Sequence, residues 1–203
     1  MLHNFLVWLQ ELGRSADGVT PSWSEALQSA PNFWGLLEAT HVLSLMLFAG
    51  TIFVVDLRLL GVAFRRTPVS VLSDRVLPLT VAGFAIIVVT GLALFFSKPV
   101  PYYHNFWFRA KMVFILIALI NIVLFHYRVQ RNIGAWNALA KPPAAARASA
   151  AVSLTAWLCV IFLGRFIAFE WLECGKPIPH WINVVQECSV TDYGAVDLKA
   201  VAQ

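Results

Sequence analysis

Charge is what this chain has least of: only 13% of its 203 residues are Asp, Glu, Lys or Arg, where soluble domains carry about 25%. That scarcity argues against a soluble enzyme. Methionine is sparse too, with Met1, Met46 and Met112 in no M-x-x-M run, so soft Cu(I) lacks the thioether ladder that would suit its passage. None of the three cysteines lies in C-x-x-C-H, so covalent c-type haem attachment is not expected. There is no H-E-x-x-H, no G-x-S-x-G and no phosphate-binding loop, which removes the corresponding hydrolase and nucleotide chemistries. With no basic n-region, and a first apolar run that starts beyond residue 30, no cleavable signal peptide is expected.

What is abundant is apolar sequence, 59% of the chain, gathered into four runs at 39–55, 76–97, 112–127 and 148–164 that contain no Asp, Glu, Lys or Arg. With its flanks, each run reaches the roughly 20 residues needed to cross about 30 Å of hydrocarbon. The spans predicted are about 32–57, 75–97, 106–127 and 149–172. Short connections make sequential neighbours antiparallel, so the expected fold is an all-α integral membrane protein, an up-down bundle of four transmembrane helices. Residues 1–30 form a surface segment before it and residues 173–203 a tail after it.

The net charge of +4 is unevenly divided. The loops between spans one and two and between spans three and four hold Arg58, Arg65, Arg66, Arg75, Arg128, Arg131, Lys141 and Arg147 against Asp56 and Asp74, a balance of +6, whereas the remaining non-span segments sum to −3. Basic residues are retained on the cytoplasmic side. Those two loops are therefore expected to be cytoplasmic and both termini periplasmic, and nucleic acid is disfavoured as a partner. The lipid bilayer is the partner this composition requires. On the oxidising side a bond between Cys174 and Cys188 is expected.

Local patterns fill in the rest. Leu2, Phe5, Leu6, Leu9 and Leu12 recur at helical spacing in a segment too short to span, which reads as an amphipathic helix on the outer membrane surface. Ser22 followed by Glu25 fits a capping box. Thr80, Gly83, Thr90 and Gly91 form a small-residue stripe and are read as a packing surface. The aromatic loop around Tyr102, Tyr103 and Trp107 suits a membrane interface.

Ionisable groups at membrane depth are the natural functional candidates. Glu38 and His41 share a helix face. By helical rise, His41 lies about 6 Å and Arg165 about 7.5 Å outward of mid-membrane, so Glu38, His41 and Arg165 are expected to converge, with Arg165 paired to Glu38. Arg109 and Lys111 would add positive charge for an anionic group such as haem propionates. His126 lies roughly 20 Å inward of His41 and cannot share a haem with it. His104 or Met112 remains as a second axial ligand, and His41 as the metal ligand. A polar network that only fixes helix register is the alternative.

The strings Glu38-Ala-Thr-His41-Val-Leu-Ser and Asp56-Leu-Arg-Leu-Leu-Gly61 resemble the first helix of small, largely uncharacterised bacterial inner-membrane proteins distantly similar to the copper-resistance D family. Gly83-Phe through Thr90-Gly91, Phe108-Arg-Ala-Lys111 leading to Asn121 and His126, and Gly164-Arg165 agree with it. The resemblance covers about residues 33–169. It implies a multi-pass protein of the bacterial inner membrane and a link to a metal or haem. Two functions are accordingly expected as alternatives: a protein binding haem b or copper in the periplasmic half of the bundle for electron transfer or metal handling, or a non-catalytic accessory subunit that docks a periplasmic or membrane protein partner.

Overall fold

The computed structural model describes residues 2–169, 172, 174 and 178–188. Among these residues it is helical without strands. Four helices are long and apolar enough to cross a membrane: α3 (Pro31–Leu60), α4 (Val69–Ser97), α6 (Phe106–Leu124), which continues through a π-helical turn (Phe125–Val129) and a 3-10 turn (Gln130–Asn132) into the short α7 (Ile133–Trp136), and α8 (Ala144–Ile167). At 1.5 Å per residue the 30 residues of α3 extend about 45 Å, beyond the hydrocarbon thickness. Four short helices accompany them: α1 (Leu2–Gln10), α2 (Trp23–Ser29), α5 (Pro99–Tyr103) and α9 (His180–Gln186). All four lie at one end of the bundle, called here the terminal end; residues 61–68 and 137–143 turn at the other, the loop end.

Local chemistry explains the boundaries. Pro31 opens α3 at a first-turn position where its missing N–H costs nothing, and Gly61 closes it at φ +73°, its N–H donating back to the Arg58 carbonyl. The Ser22–Glu25 capping box of α2 is formed in both directions, at 3.3 and 3.2 Å. Asn105 caps α6 by accepting from the Phe108 N–H at 3.0 Å.

Two helix starts move by several residues from those the sequence suggested, and α8 ends at Ile167 rather than near 172. α4 begins six residues earlier, at Val69, because its first amides are met from across the bundle: Val69 N–H donates to the Asn137 carbonyl at 3.2 Å and Ser70 N–H to Asn137 Oδ1 at 2.8 Å. α8 begins at Ala144, the alanine-rich stretch being helix rather than connector, as alanine's high helix propensity favours.

Small residues set the packing. A Cβ at Gly83 would stand 3.0 Å from the Phe48 amide nitrogen, so α3 and α4 approach as closely as the stripe suggested. In mid-bundle Phe48, Ala118, Ala156, Trp157 and Val160 form a buried cluster, Phe48 meeting Trp157 edge-on at 4.7 Å. Nearer the loop end Ala146 and Ala150 pack with Leu59, Val69 and Trp136. The fully buried Arg58 ties both turns of that end together, Nε donating to the Thr67 carbonyl at 2.7 Å and Nη2 to that of Leu139 at 2.9 Å.

At the terminal end, α1 lies against α5 with Leu6 buried, while Leu2, Phe5 and Trp8 stay outward. Gly13, at φ +83°, turns the chain under the Trp23 indole, 2.5 Å from where a Cβ would stand. α9 is held to α5 and α6 by hydrogen bonds described below and by the Cys174–Cys188 disulfide, which the structure contains. The remainder of the expected tail, 189–203, lies outside the described residues.

Candidate functional site

Helices α3, α4, α6 and α8 part toward the terminal end around a cavity of about 1120 Å³. His41 and Glu38 enter it from α3, Lys111 from α6 and Arg165 from α8, with Val42, Leu45, Leu94, Phe95, Ile161 and Phe162 as apolar walls. Phe48 and Val160, adjacent to that wall, belong to the mid-bundle cluster. The layer expected from helical rise is therefore present: residues far apart in sequence, at matched depth, face one space.

His41 is the best-defined member. Its Nδ1 lies 2.9 Å from Thr90 Oγ1, and that hydroxyl is itself 2.7 Å from the Ile86 carbonyl, which can only accept. A hydroxyl has one proton. Thr90 thus donates to Ile86 and accepts from His41, which places the ring proton on Nδ1 and leaves Nε2 with a lone pair. Gly91 lets the ring sit against α4, its Cε1 3.1 Å from where a Cβ would stand. Thr90 and Gly91, read from sequence as packing alone, are in fact what orients the candidate ligand; Thr80, which donates to Thr51 at 2.8 Å, and Gly83 keep the packing role.

The cations are placed by similar means. Gly164 leaves room for the Lys111 chain, whose Nζ lies 3.6 Å from where a Cβ would stand. The Arg165 guanidinium stacks 4.8 Å over the Phe169 ring. Arg165 and Glu38 both line the cavity, but no ion pair joins them among the described residues. The expected Glu38–Arg165 pair is not made; the guanidinium instead faces the Phe169 ring just beyond the end of α8. Glu38 instead lies near Tyr102, whose phenol is held above its usual range first by burial and then by that carboxylate.

Three expected members lie elsewhere. Arg109 is turned away from the cavity: Nε donates to the Tyr103 carbonyl at 2.7 Å, Nη1 donates to that of Val185, and Nη2 pairs with Glu187 at 3.4 Å. It fastens α9 rather than facing a cofactor. Met112 is 48% exposed, on the outer surface of the bundle. His104 is buried at the cavity's mouth, but its ring nitrogens are directed to the Gln186 carbonyl, at 2.6 Å, and toward His3 Nδ1, at 3.4 Å. His126 is at the loop end, Nδ1 donating to the Ile122 carbonyl at 3.1 Å, as its depth required. Asp56 is buried toward the loop end, outside the cavity.

The donor set favours some cofactors over others. Among the described residues no three His, Cys, Asp or Glu side chains gather as a metal cage. The cavity's lining carries the imidazoles of His41 and His104, the cations Lys98, Lys111 and Arg165, the carboxylates Glu25 and Glu38, and an apolar wall.

A family described as of unknown function (DUF6644) matches residues 33–170. No curated protein and no solved structure matches the chain significantly. Nothing in these comparisons links it to the copper-resistance D family.

Proposed function

Because the chain belongs to this family of unknown function, membership brings no activity with it, and we propose that it is a multi-pass bacterial inner-membrane protein that holds haem b in the cavity at its terminal, periplasmic end. The observation that carries the reading is His41, with Nδ1–H committed to Thr90 and Nε2 left as a donor in a cavity that also holds Lys111 and Arg165. An axial haem ligand needs such a nitrogen, and its partner on the other nitrogen fixes ring and tautomer. Lys111 and Arg165 would hold the propionates, and the apolar residues of α3, α4 and α8 the ring faces. Haem would supply one-electron chemistry. His104, bound to the Gln186 carbonyl, and Met112, on the outer surface, would take no part in holding the group. Copper is the poorer fit, since among the described residues no three His, Cys, Asp or Glu gather and Met112 faces the outer surface.

The test is haem titration of the purified chain with iron and copper analysis on one sample. One haem per chain is expected, with Trp34, which lines the cavity, quenched as it fills. Copper in place of iron, or neither, would remove the proposal.

The accessory-subunit reading rests on a different observation: α1, α5 and α9 pack into one cap at the terminal end with Leu2, Phe5, Trp8 and Trp181 outward. It gains support if the chain co-purifies with a larger complex that His41→Ala leaves assembled.

A further inference from the structure

At the loop end a groove of about 700 Å³ runs along α6 where the winding of that helix changes, lined by Ile122, Val123, His126, Tyr127 and Arg131. Ile122 and His126 are four apart, as are Val123, Tyr127 and Arg131, so each row stands on one flank of the helix. The change in winding is the π-helical turn Phe125–Val129, a rare form that is frequent at functional sites. Within it the His126 ring donates back to the Ile122 carbonyl at 3.1 Å, which holds the imidazole along its own helix. Depth and charge say what this groove meets. From Phe106, where α6 starts, to His126 is 20 residues, about 30 Å of rise and the thickness of the hydrocarbon layer. The groove therefore lies at the boundary opposite the terminal end, with Ile122 and Val123 on its hydrocarbon side and Arg131 on its headgroup side. Tyr127, 71% exposed, is the amphipathic ring that collects at this level. The local charge is of one sign: Arg128 and Arg131 are both exposed, and the sequence has no Asp or Glu between Asp74 and Glu170.

We propose that this groove binds one anionic phospholipid through its headgroup phosphate. Arg131 meets the phosphate oxygens with the planar fork of its guanidinium, and Arg128, beside Tyr127 in the sequence, adds to the attracting field. Ile122 and Val123 take the first methylenes of the acyl chains. A lipid is the occupant rather than free phosphate because the hydrocarbon side of the groove is apolar, and a bare anion would leave it uncovered. The lipid would brace α6 at the turn from which the chain leaves the membrane toward α7. None of the five lining residues belongs to the cavity at the terminal end, so this site and the haem reading stand independently.

The experiment is native mass spectrometry of the full chain, released from detergent micelles with equimolar phosphatidylglycerol and phosphatidylethanolamine of the same acyl chains, for wild type, Arg131→Gln and Arg66→Gln. Arg66, exposed in the other turn of the loop end, controls for loss of one charge outside the groove, and circular dichroism checks the fold of both variants. Wild type and Arg66→Gln are each expected to retain one phosphatidylglycerol in preference to the zwitterionic lipid. Arg131→Gln should hold it about fivefold more weakly, the factor that one basic residue contributes beside an anionic surface. Equal retention by Arg131→Gln and Arg66→Gln, no preference between the two lipids, release of the lipid by inorganic phosphate, or a lipid-free dimer of wild type overturns the site. Haem uptake by Arg131→Gln is read separately, so failure here leaves the cavity reading standing, and the reverse.

Discussion

Because the Thr90 hydroxyl already donates to Ile86, only its lone pair is left for His41, and the identity of the nitrogen offered to the cavity is decided on another helix. Thr90→Val keeps the shape and deletes that acceptor. Loss of such a supporting partner commonly costs 10–100-fold in metal affinity, so Thr90→Val should weaken haem binding by about tenfold or more while its unfolding stays near wild type. Unchanged haem affinity would mean that the ring is held by packing alone. The convergence of Glu38, His41 and Arg165 was legible in the sequence because helical rise converts residue number into depth. Depth says nothing of azimuth. Met112 and Arg109 lie at a suitable level but point to the bundle surface and to α9, and the Thr90–His41 contact depends on how α4 is rotated about its own axis, which a residue count does not carry.

At the level of elements, the four long helices were readable from their apolar runs alone, since no other solvent tolerates such sequences. Their ends were not. α4 starts where Asn137, 67 positions away, supplies its cap, and no local signal marks that. Arg58 seemed an ordinary basic residue of a loop, yet it is the buried tie between the two turns of the loop end. Arg58→Met preserves the apolar stem and removes the donors, leaving the Thr67 and Leu139 carbonyls without them. Hydrogen bonds from a charged donor contribute about 1.5–3 kcal/mol each, partly offset by the arginine's own burial. A loss of about 2 kcal/mol is expected in unfolding from mixed micelles, with loosening confined to the loop end. A variant as stable as wild type would show that the tie contributes nothing net.

Over the whole molecule, the two ends are built differently. The loop end is closed by alanine packing and the Arg58 and Asn137 contacts, whereas the terminal end stays open over a cavity and is covered by separate short helices. Within that cover, α9 depends on Arg109, on Gln186, whose Nε2 donates to the Leu172 carbonyl at 2.6 Å, and on the Cys174–Cys188 bond. For a separation of 14 residues the bond should contribute about 3 kcal/mol by restricting the unfolded chain. Replacing both cysteines by serine should therefore speed amide exchange across residues 180–186 while leaving the four long helices protected. Exchange that is equally slow in both proteins would place the hold on the hydrogen bonds instead.

The central claim, that His41 presents a ligand nitrogen to a haem-sized space, is tested most directly by one optical measurement. Wild type and His41→Ala are each titrated with haem b and the Soret region is recorded. The account predicts a saturable band at one haem per chain for wild type and its loss in His41→Ala, with the long helices still folded; the same band in both proteins, or none in wild type, would contradict it.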